Sequence, residues 1–189
     1  RFYGTPPAEQ FRIVIGFVNG PSCYGPSRQL VGQSKEVFSI IGYAANRKGQ
    51  PVLMADLGTV VHEFNHSFIK IEGDTKNALA KSGKTIKSYS AFCMKQQAYD
   101  SWQTILEESL VRAAEKCYFI EHGDGKVDKG IRNEMNHGFF WMPELVQTLR
   151  YYESHRKKYP TFTSFYPEII RFFDRYVTNM EKEMKKAMK

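Results

Sequence analysis

Residues 57–68 of the sequence read LGTVVHEFNHSF. Apolar residues recur here with the 3.6-residue period of a helix and fall on one side of it: Leu57, Val60, Val61, Phe64 and Phe68. His62 and His66 fall roughly opposite, so a helix that packs its apolar side on a core would present both imidazoles to a cleft. The pattern predicts a helix over about 57–70, with Asp56 as its N-cap.

The chemistry of this helix follows from its HExxH spacing. Histidines at positions i and i+4 lie one above the other on a helix, so His62 and His66 can bind the same metal ion. Zinc suits them because it accepts neutral imidazole nitrogens and tolerates an open coordination position. Glu63 lies beside the first histidine, where a carboxylate can take a proton from a water molecule. The motif predicts a zinc site with Glu63 as general base.

A third protein ligand must come from elsewhere in the chain. The metzincin pattern, which has Gly and His three and six residues after the second histidine, is disfavoured because Ile69 and Glu72 occupy those positions. Glu107 and Glu108 lie on a predicted helix: Glu107 borders its apolar stripe, Glu108 lies nearly opposite, and the helical wheel leaves the choice open. Weaker candidates are Glu72, His122, His137 and His155.

With an HExxH helix followed, after an insertion, by a second helix carrying glutamate, the chain resembles the gluzincins, the thermolysin-like zinc metallopeptidases. It is more closely similar to an uncharacterised bacterial family, a domain of unknown function. The similarity rests on HExxH, a Glu-x-x-Val-Arg-Ala helix, a Gly-Phe-aromatic-Trp segment and a Tyr-Pro-Thr-Phe segment. In this sequence they begin at His62, Glu108, Gly138 and Tyr159, and the resemblance covers most of residues 10–175.

The resemblance implies that Glu108 is the third zinc ligand, with Glu107 as the alternative. It also implies a peptide or protein substrate and an extracytoplasmic location, whether periplasmic, surface or secreted. An oxyanion needs a hydrogen-bond donor near the metal, and the candidates are His137 and Tyr99. Peptides commonly add to a sheet edge, and we expect that edge near residues 37–43.

The order of elements predicts an α+β fold of the zincin-like class, in which a small, mostly antiparallel sheet is followed by a predominantly helical C-terminal part. We interpret residues 1–189 as a single zincin-like metallopeptidase domain. The Gly-, Lys- and Ser-rich stretch 73–88 reads as a loop. The other predicted elements are strands mainly over 10–55, the active-site helix over 57–70, a glutamate helix over 94–117 and C-terminal helices over 143–157 and 166–187.

Composition excludes several classes of protein. Hydrophobic residues make up 42% of the 189 residues, too many for a disordered chain, and no apolar run reaches the roughly 18 residues of a membrane span. The net charge of +7 is diffuse, so we expect no nucleic-acid partner. Three cysteines without metal-knuckle spacing favour free thiols. Because the chain begins at Arg1, we expect a processed or cut form whose targeting segment is missing.

Two functional hypotheses follow from the sequence. The first is a zinc-dependent hydrolase, a metallopeptidase in which His62, His66 and Glu108 hold the metal and Glu63 deprotonates water. The second is a catalytically inactive binding or structural module of the same fold, because a fold alone does not establish catalysis.

Overall fold

Strands precede helices along the chain, as the sequence predicts. The computed structural model describes residues 2–18, 20–53 and 57–188. The chain divides into two compact units: the strand unit, residues 5–69, and the helical unit, residues 1–4 with 70–189. The predicted α+β class with a helical C-terminal part is confirmed, while the interpretation of residues 1–189 as one metallopeptidase domain stays a prediction.

The described part of the strand unit contains two small sheets. Its strands are β1 (Gln10–Ile15), β2 (Ser27–Arg28), β3 (Glu36–Ile41), β4 (Tyr43–Ala45) and β5 (Pro51–Leu53). The first sheet has the order β1-β3-β2, and β4 pairs with β5 in the second. The β1–β3 pairing is parallel, whereas β2–β3 and β4–β5 are antiparallel. Two of these three pairings are antiparallel, in agreement with the predicted sheet.

The central position of β3 corrects one expectation. Val37 pairs with Phe11 on one side and with Ser27 on the other, and a bridge between Tyr24 and Ile40 extends the second pairing. The prediction of an open sheet edge near residues 37–43 is therefore wrong for residues 37–41, because neighbours occupy both sides of the strand.

The HExxH helix, α1 (Leu57–Asn65), contacts β3. The rings of Phe64 and Phe68 pack on Phe11 of β1, with centroids 4.8 and 6.0 Å away. Only part of the predicted apolar side faces the sheet, because Leu57 is 55% exposed and the buried residues of the helix are Glu63 and Asn65. The helix ends at Asn65 rather than near residue 70. A tighter turn follows, in which Phe68 N donates to Asn65 O at 3.0 Å. The predicted N-cap, Asp56, lies outside the described residues.

Five helices form the described part of the helical unit: α2 (Gly73–Gln96), α3 (Trp102–Glu121), α4 (Val127–Asn136), α5 (Met142–Ser154) and α6 (Phe162–Ala187). α3 packs on α2, α4 and α5, and α6 packs on α2 and α5. The glutamate helix thus lies in the middle of this unit, which places several of its side chains in the core.

The helix α2 contradicts the prediction of a loop over residues 73–88. Its buried residues follow a helical spacing: Leu79, Ser82, Gly83, Ile86, Ser90 and Met94. Two of the small residues that suggested a loop, Ser82 and Gly83, lie on this buried stripe. A Cβ atom on Gly83 would lie 2.5 Å from Trp102 Cε3, so the glycine allows α3 to approach closely. Tertiary packing therefore overrides composition here.

The prediction of one helix over 94–117 is also wrong at its start. Ala98 has a positive φ of 60°, which ends α2, and Tyr99 N donates back to Met94 O at 3.0 Å. A new helix begins after Ser101, whose side chain accepts from Thr104 N at 2.9 Å and caps α3. The predicted apolar stripe is nevertheless buried at Leu106, Leu110, Ala113 and Cys117.

The C-terminal helices differ from the prediction in number and in limits. α4 was not predicted, and α5 covers 142–154 rather than 143–157. α6 begins at Phe162 rather than near 166, because Thr161 and Ser164 form a capping box upstream of Pro167. Pro167 lies inside the helix, in its second turn.

The first residues of the chain belong to the helical unit. Tyr152 Oη donates to Phe2 O at 2.8 Å, and Phe162 N donates to Tyr3 O at 2.9 Å. Tyr3 is buried against the Phe162 ring. The chain therefore starts in the helical unit, forms the strand unit and returns at Lys70.

Within the described ranges, no helix combines the length and the apolar character needed to cross a membrane. The three cysteines are free thiols, as predicted.

Candidate metal centre

The two motif histidines lie close together at the end of α1. His62 lies in the helix, and His66 is the first residue after it, in the turn that follows Asn65. Their ring centroids are 5.0 Å apart with an interplanar angle of 79°, and both side chains are half-buried. Because the ring planes are crossed, one nitrogen of each ring can approach a shared ion without the rings clashing.

Glu63 is buried beside a glycine. Only 8% of Glu63 is exposed. A Cβ atom built on Gly25, in the segment before β2, would lie 2.8 Å from Glu63 Oε2 and 3.1 Å from Glu63 O. The missing side chain at Gly25 therefore provides the space that the Glu63 carboxylate occupies.

Glu108 is held by side chains from its own helix and from the turn before it. Tyr99 Oη donates to Glu108 Oε2 at 3.1 Å, and Arg112 Nε lies 3.5 Å from the same oxygen. Arg112 Nη2 donates in turn to Tyr99 Oη at 3.0 Å. Glu108 is 8% exposed, so these contacts act with little competition from water.

A second buried carboxylate anchors Arg112 from α4. Arg112 Nη1 donates to Glu134 Oε2 at 2.8 Å, and Lys116 Nζ lies 3.1 Å from Glu134 Oε1. The guanidinium also lies over the ring of Phe139, 4.9 Å from its centroid. Lys116 Nζ also lies 2.9 Å from Glu115 Oε1. Beside that pair lies a largely buried group, which we call the Arg112 cluster: Tyr99, Glu108, Arg112, Lys116, Glu134 and Phe139.

Charges in the Arg112 cluster shift the pKa values of its members. Burial lowers the pKa of Arg112, but Glu134, Tyr99 and Glu108 raise it by more, and the net pKa lies above the usual range. Burial raises the pKa of Tyr99, and the charge of Glu108 raises it further. Arg112 is therefore charged and the Tyr99 hydroxyl neutral at physiological pH, as their hydrogen bonds require.

The structure brings His62, His66 and Glu108 together. One ligand atom from each lies within 4.8 Å of the other two. Two imidazoles and one carboxylate form the donor set of many catalytic zinc sites, which keep a fourth position for water or substrate. The chemistry of the residues therefore fits a metal ion, and these three residues could hold one.

The neighbouring Glu107 has a different role. Its Oε1 accepts hydrogen bonds from Ile71 N at 2.9 Å and from Gln103 Nε2 at 3.3 Å. The carboxylate thus holds the backbone just before α2. Among the described residues, the group that could hold a metal contains Glu108 and does not contain Glu107.

The other candidates from the sequence lie elsewhere. His137 is exposed at the C-cap of α4, and its role in catalysis stays a prediction. His122 and His155 are exposed and stack on Tyr118 and Tyr151 of their own helices. Tyr99 was a candidate oxyanion donor, but its hydroxyl proton is directed to Glu108.

Glu134 is the residue that sequence reasoning missed. It lies 22 positions after Arg112 on a helix that was not predicted. The sequence contained one signal for this residue, Arg112 on the helix of Glu108. Because that helix lies in a core, Arg112 needs a buried carboxylate as its partner.

Comparisons with known proteins bear on the family alone. No curated protein and no solved structure matches the chain. A family described as Domain of unknown function (DUF4932) matches residues 1–172, which include HExxH, the helix of Glu108 and the Tyr-Pro-Thr-Phe segment. The prediction of a domain-of-unknown-function family is confirmed, whereas the resemblance to gluzincins stays a prediction. The chain belongs to the DUF4932 family.

Proposed function

We propose that the protein is a zinc-dependent hydrolase that cleaves peptide bonds. The observation that supports this most is the grouping of His62, His66 and Glu108, whose ligand atoms lie within 4.8 Å of one another. A glutamate directly after the first histidine completes the residues that hydrolysis by a metallopeptidase needs. The zincin-like class and the gluzincin assignment belong to this proposal.

The residues would divide the reaction between them. His62, His66 and Glu108 would hold the ion, which when bound supplies a Lewis acid for the carbonyl and lowers the pKa of a water molecule. Glu63 would accept a proton from the attacking water and pass it to the leaving amine. Its burial keeps the carboxylate away from bulk solvent and limits its movement.

Metal content tests the ligand set. Protein purified without added metal is analysed for elements before and after addition of zinc, as wild type and as Glu108→Gln, Glu107→Gln and His66→Ala. We expect near-stoichiometric zinc in the wild type and in Glu107→Gln, and loss in the other two. Glu107→Gln is the matched control, because an amide oxygen can still accept from Ile71 N. Loss mainly in Glu107→Gln would contradict the assignment of Glu108.

Turnover tests the mechanism. A peptide library is incubated with wild type and with Glu63→Gln, and cleavage is followed by mass spectrometry. We expect Glu63→Gln to retain zinc and to lose activity by about 10²–10⁴-fold, the usual contribution of a general base. Full activity in Glu63→Gln would overturn the mechanism. Stoichiometric zinc without cleavage of any peptide would instead favour the inactive module of the same fold.

A further inference from the structure

The Arg112 cluster surrounds a carboxylate that the proposed function assigns to a metal. Tyr99 Oη, at 3.1 Å, and Arg112 Nε, at 3.5 Å, both contact the Glu108 side chain at one oxygen, Oε2. Tyr99 and Arg112 are themselves joined at 3.0 Å. Two donors that are fixed to each other therefore help to orient the Glu108 carboxylate.

Arg112 is more heavily anchored than an ion pair with Glu108 requires. Its Nη1 is held by Glu134 at 2.8 Å, Glu134 is held by Lys116 at 3.1 Å, and Phe139 covers the guanidinium face. The arginine is thus fixed from α4 and from the segment before α5, independently of Glu108. A rigid support of this kind is what a ligand needs in order to keep its position before an ion arrives.

One hydrogen bond in the Arg112 cluster is incomplete. Arg112 Nε is buried and makes no hydrogen bond within the described residues, although Glu108 Oε2 lies only 3.5 Å away. A buried donor without an acceptor is unfavourable. A small movement of the Glu108 carboxylate would complete this bond, so the arginine favours a carboxylate position close to, but not identical with, the one described.

From these contacts we propose that Tyr99 and Arg112, anchored by Glu134, are positioning residues that orient Glu108 for metal binding. This inference rests on the proposed metal site and extends it to residues outside the ligand set. Groups that hydrogen-bond a metal ligand typically change metal affinity by about 10–100-fold when they are removed. Tyr99, Arg112 and Glu134 therefore contribute to affinity for the ion without contacting it.

Zinc affinity and metal-free stability together test the proposal. Dissociation constants are measured by competition with a chromophoric chelator for wild type, Tyr99→Phe and Arg112→Lys. The matched controls are Tyr151→Phe and Arg150→Lys, which alter an exposed tyrosine and the exposed arginine of an ion pair with Glu153 on α5. We expect about 10–100-fold weaker zinc binding in both cluster variants, and control values within twofold of the wild type. The thermal unfolding midpoint of metal-free Tyr99→Phe should stay close to that of the wild type.

The visible absorption spectrum of the cobalt-loaded protein supplies a second readout, because it reports ligand geometry rather than stability. We expect Tyr99→Phe to shift that spectrum. Unchanged affinity and an unchanged cobalt spectrum in Tyr99→Phe would overturn the proposal, even if the variant were less stable. A wild type that binds no zinc would overturn the proposed function itself. A wild type and a Tyr99→Phe variant that bind zinc equally would overturn only the positioning role, so the two failures can be distinguished. Should Arg112→Lys fail to fold, Tyr99→Phe alone decides.

Discussion

At the scale of single residues, a glycine is the feature that most directly shapes the proposed general base. Gly25 has no side chain where a Cβ atom would lie 2.8 Å from Glu63 Oε2, a distance that real Cβ contacts do not reach. The nearest atom is the end of a flexible side chain, so the carboxylate can move away. The backbone oxygen of Glu63, 3.1 Å from the same position, must also shift by a few tenths of an ångström. Position 25 therefore affects where Glu63 points and, to a smaller extent, how its backbone packs.

We predict that Gly25→Ala lowers kcat/KM for a peptide substrate by about 10–100-fold, because a displacement of about 1 Å in a reacting group has an effect of this size. Zinc content and the thermal midpoint should stay near the wild-type values. Gly125→Ala is the control, since nothing lies within 4 Å of its Cβ position. Wild-type activity in Gly25→Ala would show that the Glu63 carboxylate needs no such space.

The sequence and the structure contribute differently to the site. His62, Glu63 and His66 could be predicted because they lie within five consecutive residues whose spacing is that of the HExxH motif. The assignment of Glu108 as the third ligand required the resemblance, since the helical wheel allowed either glutamate. The hydrogen bond from Ile71 N, which gives Glu107 a different role, joins residues 36 positions apart and could not be predicted from the wheel. The pairing of Arg112 with Glu134 could not be predicted, because it depends on how α3 and α4 pack.

At the scale of elements, the contact between α2 and α3 depends on the absence of one side chain. A Cβ atom on Gly83 would lie 2.5 Å from Trp102 Cε3 and 3.2 Å from Leu106 Cδ1. Gly130 of α4 differs, because its Cβ position lies 3.5 Å from Lys116 Cε, an ordinary contact. A substitution at Gly83 therefore tests how α2 packs on α3, whereas a substitution at Gly130 tests helix propensity with little change in packing.

We predict opposite effects on stability for these two positions. Gly83→Ala should lower the free energy of unfolding by about 1–2 kcal/mol, since overpacking of about 1–3 kcal/mol exceeds the gain of about 0.5–1 kcal/mol in helix propensity. Gly130→Ala should raise it by about 0.5–1 kcal/mol. Urea unfolding followed by circular dichroism measures both. A stabilised Gly83→Ala would mean that α2 and α3 can separate at little cost.

The two helices absent from the prediction differ in how visible they are in the sequence. Residues 73–88 contain only two large apolar side chains, Leu79 and Ile86, too few for a clear helical period, whereas α4 places Val127, Ile131 and Met135 four residues apart, a pattern that indicates a helix. In α2 the buried stripe includes Ser82, Gly83 and Ser90, which are small because α3 and α6 pack closely on this helix. Composition alone cannot distinguish a small residue in a tight contact from a small residue in a loop.

At the scale of the whole molecule, several buried groups have a higher pKa in the folded protein than in the unfolded chain. Burial raises the pKa of Tyr152 and of Tyr166 to about 12. Burial also raises the pKa of Tyr3 and of the Cys117 thiol. Unfolded tyrosine and cysteine have pKa values near 10 and 8.5, so at alkaline pH the unfolded state binds fewer protons than the folded state.

We predict that the free energy of unfolding falls as pH rises from about 9 to 12. Each group stabilises the folded state fully below its unfolded pKa, and this stabilisation is lost as pH rises through its folded pKa. The free energy of unfolding falls by up to about 1.4 kcal/mol per pH unit for each proton that the folded state retains. Urea midpoints at pH 8, 9.5 and 11 measure the slope. Tyr152→Phe, which lacks one of these protons, should be less stable at pH 8 and show a shallower slope. Equal midpoints across this range would contradict the burial of these groups.

The path of the chain through its two units also has a consequence for biosynthesis. Tyr3 packs on Phe162, and the chain between them takes on the order of ten seconds to synthesise at about 5–20 residues per second. All residues of the strand unit precede Lys70, so that unit can fold on the ribosome during translation. The residues at the start of the chain can pack in the helical unit only after α5 and α6 have been synthesised. The helical unit is therefore completed late in translation.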